Sequence, residues 1–157
     1  MCWQVDGNKS HKNNKTLTKK QKQFMKKTLF SAKPLALDLA LLLVRVGFGA
    51  AMITHGLQKL NGYSGMVNKF PSLFGIGSQT SLILAIFAEL FCAALLILGL
   101  ASRFALVFLI VTMGIAFFYI HGNDPFGDKE MAFLYLVAFI GLFFTGPGKY
   151  SVDSNMK

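Results

Sequence analysis

Residues 79–100, QTSLILAIFAELFCAALLILGL, decide the fold: the run holds 22 residues, and Glu89 is its one charged residue. At 1.5 Å of rise per residue a helix of that length spans about 33 Å, enough for a hydrocarbon core of ~30 Å. Backbone groups in lipid must be satisfied within the segment, so a helix is the expected form. Three further apolar runs flank it: Leu35–Leu57, Arg103–Ile120 and Glu130–Gly146. The fourth is the shortest. An all-α, polytopic membrane four-helix bundle is the predicted architecture.

The composition agrees. Only 15% of residues are charged while 54% are hydrophobic, and Phe (16) and Gly (15) are abundant. Soluble domains carry nearer a quarter charged residues. The net charge of +9 does not point to nucleic acid, because nine of the 16 basic residues, all Lys, fall in residues 1–34. The charge belongs to a tail. Domain organisation follows: residues 1–34 a Lys-rich tail expected to be disordered and cytoplasmic, 35–153 the membrane domain, 154–157 a short C-terminal tail. Met25-Lys26-Lys27 resembles an alternative bacterial start. The first apolar run lies too far in, and carries Arg45, to be a cleaved signal peptide. Cys2 and Cys92 form no CxxC pair and suggest no framework disulfide.

Lys and Arg favour the cytoplasmic side. The tail, Arg103, Lys149 and Lys157 then lie inside, and Lys59, Lys69 and Lys129 outside. Both termini are therefore expected in the cytoplasm of a bacterial inner membrane. The first outer loop carries Tyr63, Met66, Val67, Phe70 and Leu73 at roughly helical spacing, which predicts a short interfacial helix ending near Pro71.

Charges inside a membrane need partners, because each costs about 2.5–3.5 kcal/mol at the bilayer centre. Arg45 and Glu89 each lie ten residues into their runs from opposite sides. Antiparallel helices would bring both to the midplane, predicting a buried Arg45–Glu89 ion pair that either pins two helices or lines a ligand site. A second group, His55, Lys59, His121 and Glu130, falls at the outer boundary. It could exchange protons or hold a small polar ligand. Two His and a carboxylate could also bind metal, but Lys59 would repel a cation, and no metal site is assigned. Asp38 lies on the face of Arg45. Thr112 and Tyr119 could add hydrogen bonds.

These residues form an ordered series. Arg45 is followed by His55-Gly56, Lys59-Leu60, Ala88-Glu89 and Leu98-Gly99-Leu100-Ala101-Ser102-Arg103. His121 and Glu130 come next, and Gly146-Pro147-Gly148-Lys149-Tyr150-Ser151-Val152-Asp153 closes the series. It resembles the DoxX family of small bacterial membrane proteins over about residues 38–153. The resemblance implies a four-helix membrane bundle. It also implies links to quinone-dependent oxidation, quinone or catechol resistance, or oxidative-stress complexes.

No haem, flavin or iron–sulfur motif is present, so no covalently bound cofactor is expected. Quinone is the cofactor implied, with the chain a non-autonomous subunit of an oxidoreductase. A small-solute transporter and a scaffold recruiting a soluble enzyme are the competing classes. The expected partners are the lipid bilayer and either a second copy or a redox partner protein. Gly146-Pro147-Gly148 should end the last helix. The chain could then fold back so that Asp153 meets Arg103 as a cytoplasmic clamp.

Overall fold

The computed structural model describes residues 36–156 together with Gln21, Gln23 and Phe24. The predicted tail 1–34 otherwise lies outside the described residues. The unit Leu37–Lys157 carries everything below.

The first rod is α1, Leu37–Asn61. A single turn of helix, α2 (Tyr63–Met66), follows in the loop; it lies within the stretch where an interfacial helix was predicted but stops at Met66, short of the expected end near Pro71. The second rod is continuous over Ser78–Leu98 but built from three parts: α3 (Ser78–Ile86), a π-helical segment π1 (Phe87–Cys92) and α4 (Ala93–Leu98). The third joins α5 (Ser102–Ile115) to a second π segment, π2 (Ala116–Ile120). The fourth is α6, Phe126–Thr145. A last turn, α7 (Val152–Asn155), closes the chain, with Ser151 capping it by accepting the N–H of Ser154.

The first three rods are long and apolar enough to cross a membrane. The fourth has comparable length, but its first turns hold Asp128, Lys129 and Glu130. Their outward faces are apolar, as Leu43, Phe91, Phe104 and Phe144 show by standing exposed. Such a belt belongs in lipid. Rod two packs on α1, α5 packs on π1 and α4, and α6 packs on α5 and α1. The core between them includes Met52, Leu96, Leu109, Tyr135 and Phe139.

Small residues set the register of α1 against rod two. A Cβ on Gly49 would lie 2.6 Å from Ile97 Cγ1, and one on Gly56 would lie 2.7 Å from Leu90 Cγ. The backbones approach because these positions carry no side chain. The result corrects the predicted depth match. Gly56, and not Arg45, sits opposite Glu89, and Arg45 lies opposite Gly99.

The turn between rods two and three is a Schellman motif. Leu100 N–H donates to Leu95 O and Gly99 N–H to Leu96 O, with Gly99 at φ 70°. A Cβ at Gly99 would meet Ser151 Cβ at 2.5 Å and Arg45 Nη1 at 2.6 Å. Gly99→Ala is therefore expected to cost about 1–3 kcal/mol from backbone strain alone. Displacement of Arg45 adds to that. The thermal unfolding midpoint in detergent measures it, and a midpoint equal to wild type would contradict the argument.

Candidate functional site

Glu89 lies in π1, midway along its rod, with 3% of its surface exposed. Its partner is Lys59, whose Nζ donates to both carboxylate oxygens at 2.7 and 2.9 Å. The Arg45–Glu89 pair expected from the sequence does not form. The reason is the register: α1 runs on to Asn61, beyond the apolar run, so the residues opposite Glu89 lie near the end of α1. Lys59, one turn past Gly56, is within reach. A lysine near a helix end ordinarily extends toward water. Here it turns inward, because a buried carboxylate without a cation costs more than bending the stem.

The pair faces a cavity of about 500 Å³. Helical periodicity delivers its walls. Met52, His55 and Lys59 come from α1. Ser81, Ala85, Ala88 and Glu89 come from rod two. Phe108, Thr112 and Ala116 come from rod three, and Asp128, Met131, Ala132 and Tyr135 from α6. Each set recurs at three- and four-residue steps, the spacing of one helix face. The walls are mostly apolar, with a few convergent polar groups, as in small-molecule sites of this size. His55 and Tyr135 meet edge to face with centroids 5.9 Å apart. The loop covers one side through Phe70, Pro71 and Leu73, and it is pinned where Leu73 N–H donates to Ser81 Oγ.

Three of the four predicted outer-boundary residues line this cavity: His55, Lys59 and His121. Glu130 does not; it is exposed. It stands two residues from Asp128, about 200° round the helix, and Asp128 takes its place. His121 Nδ1 lies 2.7 Å from Asp124 Oδ2. Sequence reasoning missed Asp128 and Tyr135, although the stripe Asp128, Met131, Ala132, Tyr135 was there to find. It also missed both π segments, which no proline or glycine signals. Each contributes to the cavity wall, and π turns recur at functional sites. Thr112 Oγ1 donates to Phe108 O within its own helix.

The opposite end of the rods is built differently. Arg45, 1% exposed, donates from Nη1 to Pro147 O at 2.7 Å and from Nη2 to Tyr150 O. Its Nε has no hydrogen-bond partner among the described residues. The helix break at Gly146–Gly148 folds the C-terminal segment back as a hook. Asp38 Oδ1 accepts the N–H of Lys149, so this carboxylate holds the hook and not Arg45. Asp153 does close the clamp, but not with Arg103. It accepts the backbone N–H groups of Ala101 (2.7 Å) and Ser102 (2.8 Å) and so caps α5 from a distance. The N-terminus of α5 presents donors that a carboxylate satisfies better than the exposed Arg103 could.

Burial opposes the charge on Asp153. The hydrogen bonds from Ser102 and Ala101, with the field of Arg45, outweigh it and hold the carboxyl below its ordinary value. A carboxyl depressed in the folded state stabilises above its unfolded pKa of about 4 and stops doing so as pH falls through the folded value. Thermal stability should therefore fall on acidification below about pH 4, and Asp153→Asn should remove part of that fall. Melting curves of both proteins across that range provide the check. Superimposable pH profiles would show that the cap contributes nothing.

Comparison with known proteins gives a consistent picture. The family model described as DoxX matches residues 40–122. A Bacillus subtilis protein named "Putative oxidoreductase CatD" is 32% identical over 74% of this chain and 86% of its own length. The Escherichia coli "Inner membrane protein YphA" is 31% identical over 72% of this chain and 87% of its own. An uncharacterised Haemophilus influenzae protein is 27% identical over 75% and 83%. No solved structure matches the chain.

Proposed function

This chain belongs to the DoxX family, and on that premise we propose that it is a quinone-binding subunit supporting redox or oxidative-stress processes at the membrane. It is a multi-pass inner-membrane protein. The carrying observation is the Lys59–Glu89 pair, a buried carboxylate with a partly buried lysine, facing a cavity of about 500 Å³. A buried ionisable pair in a membrane is costly and marks a functional site by default. The residues present suit a quinone ring. Phe108 and Tyr135 supply flat apolar walls, while Lys59 and His55 supply donors to carbonyl oxygens. Lys59 would orient the ring, with Glu89 fixing the position of the ammonium beside it. The apolar walls would exclude water. A quinone when bound supplies two-electron chemistry coupled to protons. The name of the Bacillus subtilis relative is in keeping with such a role.

In this reading α6 is the fourth span, its charged first turns resting at the interface. Both termini then lie in the cytoplasm, and the cavity lies toward the outer face, as the Lys-rich tail favours. Passage of a solute through the protein is disfavoured, because the hook and the Arg45 contacts occupy the other end.

Titration of the purified full-length protein in nanodiscs with a short-chain ubiquinone tests the proposal. Saturable binding with a Kd in the ~1–100 μM range is expected for a cavity of this kind. Absence of binding, together with unchanged quinone sensitivity of cells lacking the gene, would overturn it.

A further inference from the structure

The same cavity has a side opening. At the Gly99 turn rods two and three lie together, and π1 and α4 pack on α5. Farther from the turn they part. Ser78–Ile86 packs on α1 but makes no substantial contact with rod three among the described residues. Leu84 and Val111 stand on the two sides of this gap. Both line the cavity, and both remain about half exposed, at 49% and 53%. Two aromatic pairs frame it. Phe87 meets Phe108 edge to face at 5.6 Å on the side of the turn. Phe74 meets Tyr119 at 5.8 Å on the side of the loop. Phe74 is held at φ 48°, a conformation that a bulky residue rarely adopts and that surrounding structure must enforce. Rod two carries no charge besides Glu89, and rod three none besides Arg103 at its start, so the frame opens onto hydrocarbon.

We propose that ligands enter sideways from the lipid through the Leu84–Val111 window, and that the natural ligand is an amphiphile with a compact polar ring and one apolar chain. The ring lies at Lys59–Glu89, and the chain leaves between Leu84 and Val111. The division of the walls requires this order. The ionisable groups lie at the far side of the cavity, and the window side is apolar. A ring without a chain fills the cavity but makes no use of the window. The inference rests on the ring-binding reading above for its ligand, but the window itself can be tested without one.

For the window, Thr112→Trp in a Trp3→Phe background gives the full-length chain one reporter inside the cavity. In nanodiscs its fluorescence is expected to be quenched by mid-chain brominated lipids and spared by aqueous acrylamide. Quenching by acrylamide alone would overturn sideways entry and point to access past His121. For the ligand, decyl-ubiquinone and the chainless ring ubiquinone-0 are compared on wild type and on Leu84→Trp and Val111→Trp, either of which narrows the window. The decyl compound should lose about tenfold or more in affinity while the chainless ring changes by less than about twofold. Equal effects on both compounds, or none, would overturn the chain's placement. Failure of wild type to bind either compound would defeat the ring-site reading and leave the quenching result standing.

Discussion

Glu89→Gln is expected to lower short-chain ubiquinone affinity by at least about tenfold and to destabilise the protein by roughly 2–3 kcal/mol. The substitution keeps the side chain's shape but deletes its charge. The amide oxygen can still accept from Lys59, but the counter-charge is gone and one of the two charge-assisted hydrogen bonds, worth about 1.5–3 kcal/mol in such settings, is lost. The loss stays at the low end because the Lys59 side chain is 24% exposed and can turn toward water. The reciprocal change, Lys59→Met, should be worse. Glu89's side chain is only 4% exposed, and removing one partner of a buried pair costs about 3–5 kcal/mol. Replacing both, Lys59→Met with Glu89→Leu, should recover most of the stability and none of the binding. Unfolding midpoints and quinone titrations on wild type, Lys59→Met, Glu89→Leu and the double variant measure the coupling. If the two single changes add without interaction, the pair is incidental to the fold. If the double variant binds quinone like wild type, the pair has no part in the site.

Arg45→Met should unfold the hook and lower the thermal midpoint in detergent by roughly 10 °C, from a loss of about 3–5 kcal/mol. The guanidinium is fully buried, and its Nη1 and Nη2 groups satisfy Pro147 O and Tyr150 O. Deleting it leaves two carbonyls unpaired and loosens the segment that carries Asp153 to α5. Arg45→Lys should rescue little, because one ammonium cannot reproduce the planar fork that serves two carbonyls. Limited proteolysis should then cut near residues 147–150. Full resistance there, with an unchanged midpoint, would show that the hook holds without Arg45. Because Arg45 and Glu89 share no partner, Arg45→Met and Glu89→Gln should be additive within about 0.5 kcal/mol. A paired Arg45–Glu89 arrangement would instead give strong coupling.

The rods were legible because uninterrupted apolar runs leave a chain in lipid only one regular form. Depth was harder. Counting ten residues into each run took the start of hydrophobicity as the membrane edge, yet α1 continues through Gln58, Lys59 and Asn61. Gly49 and Gly56 set the true register, and a glycine on paper does not say which neighbour it meets. Arg45's partners were invisible for another reason. They are backbone carbonyls, which no sequence letter marks. The break at Gly146-Pro147-Gly148 was readable, and so was the return of Asp153 toward the second turn. That the carboxylate would choose the bare N–H groups of Ala101 and Ser102 over Arg103 depended on the geometry of a helix start. Asp128 was passed over for Glu130 because position along the chain was weighed and position round the helix was not.

The hook also sets an order of events during synthesis. Arg45 enters the bilayer with the first rod, but its acceptors lie 102 and 105 residues later. At about 5–20 residues per second, translation takes roughly 5–20 s to deliver them. For that interval the guanidinium lacks the two backbone carbonyls that it serves in the folded protein, and only residues after Gly146 supply them. Premature stop codons near the 3′ end should therefore behave as lesions of the whole molecule, cleared by membrane quality control.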